Sequence, residues 1–324
     1  MTTRQYEEKR MVQYLATEVR WQDRRFAVPM ERIQLSEELG YDVVFTAEGF
    51  GSDALTPLGF IAANTTRLVL GTRIIQVAGR APHTAARALT TLDHMTGGGR
   101  VIAGLGGTRS AKPVAEMRAY ATELRQAFDA IGLDKVSDIP IMVAATGPQM
   151  VRLAAEVGDG WMPSFFSPGT LAAFQPLLEA GFARSGRAST DDFQVWAHVD
   201  MLVDDDVRAA MRPFKEYTAT WSAMQRPFIE ARGYTEMAER LAELVPAGRM
   251  EEAIDAIPDE YIDDGWLVGP VDRIRRRAVR WLESEATGLV FRYGAQVGAD
   301  RSGEAENLDA FRAVAEAAGR VTPR

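Results

Sequence analysis

The stretch Ile139-Pro140-Ile141-Met142-Val143-Ala144-Ala145-Thr146-Gly147-Pro148-Gln149-Met150-Val151-Arg152-Leu153-Ala154-Ala155-Glu156-Val157 decides the fold class. It begins as a short apolar run, the pattern of a strand buried on both faces. Gly147-Pro148 then leads into a helical pattern that ends at Val157, and proline suits a first helical turn. Gly158-Asp159-Gly160 follows, with Trp161-Met162 in a second short strand. A strand, a helix and a strand in succession form a crossover unit with parallel strands.

The alternation recurs on both sides of this unit. Further strands are expected at 41–45, 68–75, 101–105, 193–203 and 288–292. Helices are expected at 30–39, 54–64, 84–95, 114–131, 148–157 and 171–184, and residues 205–287 read as mostly helical. An eighth strand at 11–17 completes the set, although that stretch is polar enough to read as helix too. Eight strand–helix units predict an α/β fold, a (β/α)8 TIM barrel with a helical insertion before the last strand. An open doubly wound sheet is the competing architecture. Residues 1–324 read as one barrel domain, with a polar N-terminal extension at 1–10 and a C-terminal helical tail at 300–324.

Composition narrows the chemistry. The 324 residues hold no cysteine and carry a formal charge of −8. There is no thiolate nucleophile and no cysteine metal site. His83, His94 and His198 are too far apart for a histidine metal motif, so no metal is expected. The negative charge argues against nucleic acid as a partner. No apolar run approaches the roughly 20 residues of a membrane span, and the expected compartment is the cytoplasm.

In a barrel the active site lies at the carboxyl ends of the strands. At 145–148, Ala145, Thr146, Gly147 and Pro148 open a helix whose free N–H groups favour an anion such as a phosphate. An ordinary βα turn that uses Gly and Pro for geometry is the alternative. Glu48 follows the 41–45 strand; it reads either as a ligand or acid/base group or as an arginine-paired loop residue. His83, beside Pro82 at a helix start, reads first as capping or packing. Asp93 and His94 read as structural, Asp204-Asp205-Asp206 as a helix cap, Arg275-Arg276-Arg277 as a solvated face, and Trp266 and Trp281 as core. Gly104-x-Gly106 lacks the third glycine of a dinucleotide fingerprint, since Arg109 stands there. No Gly-x-Ser-x-Gly elbow occurs. These groups suit a phosphate-bearing cofactor that brings its own chemistry.

Several segments resemble the bacterial luciferase-like superfamily, and within it the actinobacterial branch that uses the deazaflavin coenzyme F420. They are Gly40-Tyr41-Asp42-Val43-Val44-Phe45-Thr46-Ala47-Glu48-Gly49-Phe50-Gly51-Ser52-Asp53, Thr66 to Thr72, Leu92 to Arg100, and Ile139 through Gly147-Pro148 to Asp159-Gly160-Trp161. The stretches Ala247-Gly248-Arg249 to Ala253-Ile254 and Val268-Gly269-Pro270 agree as well. The resemblance implies a (β/α)8 barrel, a homodimer, and hydride transfer between F420 and a small organic substrate. It places Glu48 near the cofactor ring; Glu48 and His83 are the candidate catalytic residues. It implies a cofactor site built from Glu48, Arg73, Ile74, Thr108, Ala145, Thr146, Gly147 and Pro148, with a non-proline cis peptide near Arg73-Ile74. FMN in a luciferase-like monooxygenase is the first alternative. A cofactor-free member with a non-redox or partner-subunit role is the second.

The chain also departs from that family. Relatives carry a long segment and a hairpin after strand four. Here Gly107-Thr108-Arg109-Ser110-Ala111 runs straight into a helix, and only 132–138 separate that helix from the next strand. Thr108 and Arg109 stand where relatives often carry a glutamate or a serine.

Overall fold

The computed structural model describes residues 12–19, 27–48, 52–294 and 307–322. The expected extension at 1–10, the front of the 11–17 strand, Gly49-Phe50-Gly51 and the ends of the 300–324 tail lie outside the described residues.

Two compact units make up the chain. The larger, 16–164 with 174–196, carries β1 (Tyr14–Val19, from Ala16), β2 (Val43–Thr46), β3 (Val69–Thr72), β4 (Ile75–Gln76), β5 (Val101–Gly106), β6 (Ile141–Ala144), β7 (Gly160–Met162) and the start of β8 (Gln194–Leu202). Their order is β1-β2-β3-β5-β6-β7-β8, all parallel, with β4 also on β5. Register is set by pairs such as Val43 with Val69 and Val143 with Trp161. Helices α1 (Met30–Glu38), α2 (Leu55–Ala63), α3 (Pro82–Met95), α4 (Pro113–Ala130), α5 (Pro148–Val157) and α6 (Leu171–Ser185) lie between the strands in sequence. The other unit holds the end of β8, α7 (Val207–Thr220), α8 (Ser222–Ala231), α9 (Thr235–Leu244), α10 (Met250–Asp255), α11 (Asp259–Gly265), β9 (Leu267–Val268), α12 (Val271–Leu282), β10 (Gly288–Tyr293) and α13 (Leu308–Ala317). There β10 pairs with both β8 and β1, and β9 extends the end of β8. Eight principal parallel strands alternating with helices make this a (β/α)8 barrel.

The strands are buried because both faces are covered: every residue of β5 is buried, and all of β8 beyond Gln194. Helices α3, α4 and α5 each begin on a proline after an uncapped residue, at Pro82, Pro113 and Pro148. Two of these starts fall earlier than the expected 84 and 114, because proline at the first helical position fixes φ where no N–H is needed. On α4, Met117, Tyr120, Ala121, Leu124 and Ala127 form the buried stripe at a spacing of three and four.

Two readings are corrected, and one left open is decided. The 68–75 run is two strands, β3 and β4, divided at the cis peptide Arg73–Ile74. The 205–287 block is interrupted by β9, whose two residues are too few for a period to show. The first element is a strand, Tyr14–Val19, despite its polarity. Thr17 and Glu18 are buried there because Arg32, itself 2% exposed, donates to the Thr17 hydroxyl and to the Glu18 carbonyl at 3.2 Å. Polar side chains are tolerated in a core when each is paired.

Several structural readings hold. Asp206 caps α7 by accepting from the amides of Arg208 and Ala209. Asp93 accepts from Ser137 Oγ at 2.6 Å, and His94 Nε2 donates to the Asp134 carbonyl at 2.7 Å, so the end of α3 anchors the short 132–138 connection. Trp266 and Trp281 are buried. The arginines of α12 are more than a solvated face: Arg275 pairs with Asp272 and Glu316, and Arg277 with Asp263.

Candidate active site

The carboxyl ends of the strands in the larger unit bring three groups of residues into view. The first is a floor. The Arg73 guanidinium is buried; its Nη1 donates to Glu18 Oε2 at 3.0 Å and its Nη2 to the Pro163 carbonyl at 3.2 Å. One side chain from the end of β3 thus joins the ends of β1 and β7. The backbone on either side is fixed too, because Arg73 N donates to Thr46 O at 2.7 Å and Glu48 N to Ile74 O at 3.0 Å.

The second group is a rim of linked polar side chains. Glu48 Oε2 accepts from the Gln76 amide at 2.7 Å, and Glu48 Oε1 accepts from Arg80 Nε and Nη2 at 3.0 and 2.7 Å. Arg80 also pairs with Asp53. Gln76 Nε2 donates to the Glu48 carbonyl at 3.3 Å, and Gln76 Oε1 accepts from Arg109 Nη2 at 3.2 Å. Burial pulls the Arg80 guanidinium down, but the hydrogen bond and charge of Glu48 outweigh it and hold the pKa above the ordinary arginine value. Burial pushes Asp53 up, and hydrogen bonds from Thr56 and Leu55 together with Arg80 hold it below the usual carboxylate range. Tyr120 on α4 is pushed up to about 12, first by burial and then by the charge of Glu48.

The third group is the start of α5. Gly147 occupies the N-cap position without a side-chain cap, and no acidic residue stands in the first turn. Among the described residues the amides of Thr146, Gly147 and Gln149 and the Thr146 hydroxyl make no hydrogen bond. A Cβ at Gly147 would meet nothing within 4 Å. Beneath it, Ala145 is buried and its carbonyl accepts from Trp161 Nε1 at 2.9 Å. Open donors at a helix N-terminus, without a competing carboxylate, fit the phosphate of a deazaflavin or flavin cofactor. Gly106 connects this group to Ile74: a Cβ there would lie 2.9 Å from Ile74 Cγ1 and 3.4 Å from Ala144 Cβ. Gly104 serves packing in the same way, since a Cβ would fall 2.0 Å from the Thr72 carbonyl. The Gly104-x-Gly106 pair therefore closes strands together.

The structure brings Glu48 and Ile74 together and places Ile74 and Ala144 around Gly106; Thr108 follows β5, half-buried. It does not bring the two catalytic candidates together. His83 is exposed on α3 and lines a groove of about 420 Å³ with Arg87, Thr91 and residues from the end of α4. Glu48 is held by Arg80 and the Gln76 amide, which makes it a positioning group in this geometry. Sequence reasoning gave no role to Glu18, Gln76 or Arg80. Gln76 ends β4, just after the cis peptide, and Arg80 follows it; Glu18 was hidden by the polarity of the first strand. Among the described residues no three His, Asp or Glu side chains form a metal-binding group, and no helix is long and apolar enough to cross a membrane.

Comparison with known proteins gives this barrel its family. The family profile of luciferase-like monooxygenases matches residues 16–129 and 113–288. The chain belongs to this luciferase-like family of oxidoreductases. A Mycobacterium tuberculosis protein named as a coenzyme F420-dependent oxidoreductase is 36% identical over 313 residues, covering 82% of this chain and 90% of the relative. The F420-dependent glucose-6-phosphate dehydrogenase of Beutenbergia cavernae is 27% identical over 299 residues, covering 79% and 84%. In structure, the coenzyme F420-dependent tetrahydromethanopterin reductase of Methanopyrus kandleri superposes with a TM-score of 0.69 at 22% identity, covering 95% of this chain and 98% of that one. That likeness speaks to the fold. The two profile matches overlap at residues 113–129, within α4.

Proposed function

We propose that this chain is an F420-dependent oxidoreductase that transfers a hydride between the deazaflavin and a small organic substrate. The observation that carries the reading is the uncapped start of α5, with its open amides, the Thr146 hydroxyl and no carboxylate. The names of its relatives favour F420 as the group held there. When bound, F420 supplies the hydride or accepts it. Thr146, Gly147 and the following amides bind the phosphate, and Ala145 and Gly147 keep side chains out of its way. Ile74 and Gly106 shape the wall beside it. Arg73, fixed by Glu18 and the Pro163 carbonyl, closes the floor with a charge already paired. Arg80 and Gln76 hold Glu48 still at the rim. Positioning and water exclusion are the protein's part, and a fixed geometry lowers the barrier by removing the entropy of alignment.

The test is a cofactor screen by native mass spectrometry with F420, FMN and FAD, followed by fluorescence titration. Micromolar F420 binding with no FMN adduct is expected. A stable FMN adduct would replace the reading with the monooxygenase one, and no adduct at all would favour a member without redox cofactor. The reading treats residues 1–324 as one barrel domain acting as a homodimer; calorimetry and light scattering check the two.

A further inference from the structure

The connection after β5 runs through 107–112 into α4, and it holds unused hydrogen-bond donors. Gly107, at φ +66°, turns the backbone out of the strand. Thr108 follows half-buried, and among the described residues its hydroxyl makes no hydrogen bond. Arg109 is exposed, and among the described residues its guanidinium has one partner, the neutral Gln76 amide oxygen at 3.2 Å. That bond uses Nη2 and leaves Nε and Nη1 open. The nearby carboxylates are engaged elsewhere: Glu48 and Asp53 by Arg80, and Glu116 by the backbone amides of Arg109 and Ser110 at 3.2 and 3.0 Å. Gln76 is itself tied to Glu48, so Arg109 is linked to the strand ends through a chain of fixed groups. Lys112 adds a second exposed cation to the same connection.

We propose that Thr108 and Arg109 form a subsite for an oxyanion, and that the substrate of this enzyme carries a carboxylate or a phosphate. A guanidinium that keeps open N–H donors, in the same connection as an open hydroxyl, supplies the charge-assisted donors such a group needs. The proposal rests on the F420 reading for its reaction and on this connection for its specificity.

Isothermal titration calorimetry on F420-saturated protein tests it, with the α5 cradle filled by cofactor. The probes are benzoate, its neutral match benzamide, and inorganic phosphate. Wild-type protein binds benzoate or phosphate, and which of the two is tighter tells the carboxylate source from the phosphate one. Arg109→Gln weakens that binding at least tenfold, Arg109→Lys restores part of it, and benzamide binds neither protein. F420 affinity and unfolding temperature stay the same in Arg109→Gln. Equal anion binding by wild type and Arg109→Gln overturns the subsite, as does benzamide binding as well as benzoate, or no anion binding by the loaded wild type. If the protein takes up no F420, the titration is repeated in a Gly147→Asp background, which closes the cradle. Loss of benzoate binding on adding Arg109→Gln there keeps the subsite while the F420 reading falls.

Discussion

The floor of the site and the start of α5 solve opposite problems. At the floor, Glu18 and Arg73 are charged side chains with almost no exposure, and they are held by each other and by the Pro163 carbonyl. At α5, the binding groups are backbone amides and one hydroxyl, open and uncharged. The floor is rigid because breaking it would strand a charge in the core. The cradle is receptive because no described residue satisfies its donors. The barrel thus has an ion-paired interior and open donors at its mouth.

Removing one partner at the floor is the most damaging change. Glu18→Ala removes the buried carboxylate to which Arg73 Nη1 donates and costs about 3–5 kcal/mol of folding stability. Chemical denaturation measures it. Glu18→Leu together with Arg73→Met removes both charges and recovers most of the loss. If the double variant is no more stable than Glu18→Ala, the floor is held by something other than charge pairing.

The same contrast explains what the sequence could show. The cradle was legible because its parts are local: an apolar run, Gly147, Pro148 and a periodic helix occupy consecutive positions. The floor was not, because Thr17 and Glu18 look like surface residues until Arg32 and Arg73 arrive from 15 and 55 positions away. Barrel strands such as β5 and β6 announced themselves through unbroken apolar runs. β4 and β9, of two residues each, depend wholly on pairing with neighbours and carry no period to read. The rim was half legible. Glu48 stood out by its place after β2, but its neutralisation by Arg80 is a contact across 32 positions.

Next in size is Gly147→Asp, which separates stability from binding at a single position. Open space around the Gly147 Cβ admits the side chain, and an aspartate in place of a glycine N-cap stabilises a helix by a few tenths of a kcal/mol, to which its charge at the helix N-terminus adds about 0.3–1 kcal/mol. The same carboxylate repels the cofactor phosphate, so F420 affinity drops about a hundredfold, or ~2.7 kcal/mol. A fluorescence titration and a thermal melt should therefore move in opposite directions. A variant that binds F420 as wild type would move the phosphate site elsewhere.

Glu48→Gln sits between floor and cradle. A carboxylate that donates or accepts the reacting proton typically contributes about 10²–10⁴-fold to the rate. One that only anchors Gln76 and Arg80 contributes far less, and its amide keeps an acceptor oxygen in place. Steady-state turnover of Glu48→Gln within about tenfold of wild type, with an unchanged pH profile, is expected. A larger fall with loss of one limb of the profile would make Glu48 the acid/base group after all.

Asp53 gives the smallest effect and the finest test of the rim. Its carboxyl is held below the ordinary range by Thr56, Leu55 and Arg80 against the pull of burial. A folded-state pKa below the unfolded one contributes stability that is present above the unfolded value of about 3.9 and disappears as pH falls through the folded one. The wild-type melting temperature should therefore fall more steeply than that of Asp53→Asn on acidification below about pH 4, and the two should run parallel at neutral pH. The rim is solvated where the floor is not, so salt should shrink this difference and leave the Glu18–Arg73 effect almost untouched. Equal salt sensitivity in both would mean that the floor pair is open to water, and the distinction between an ion-paired interior and a receptive mouth would have to be redrawn.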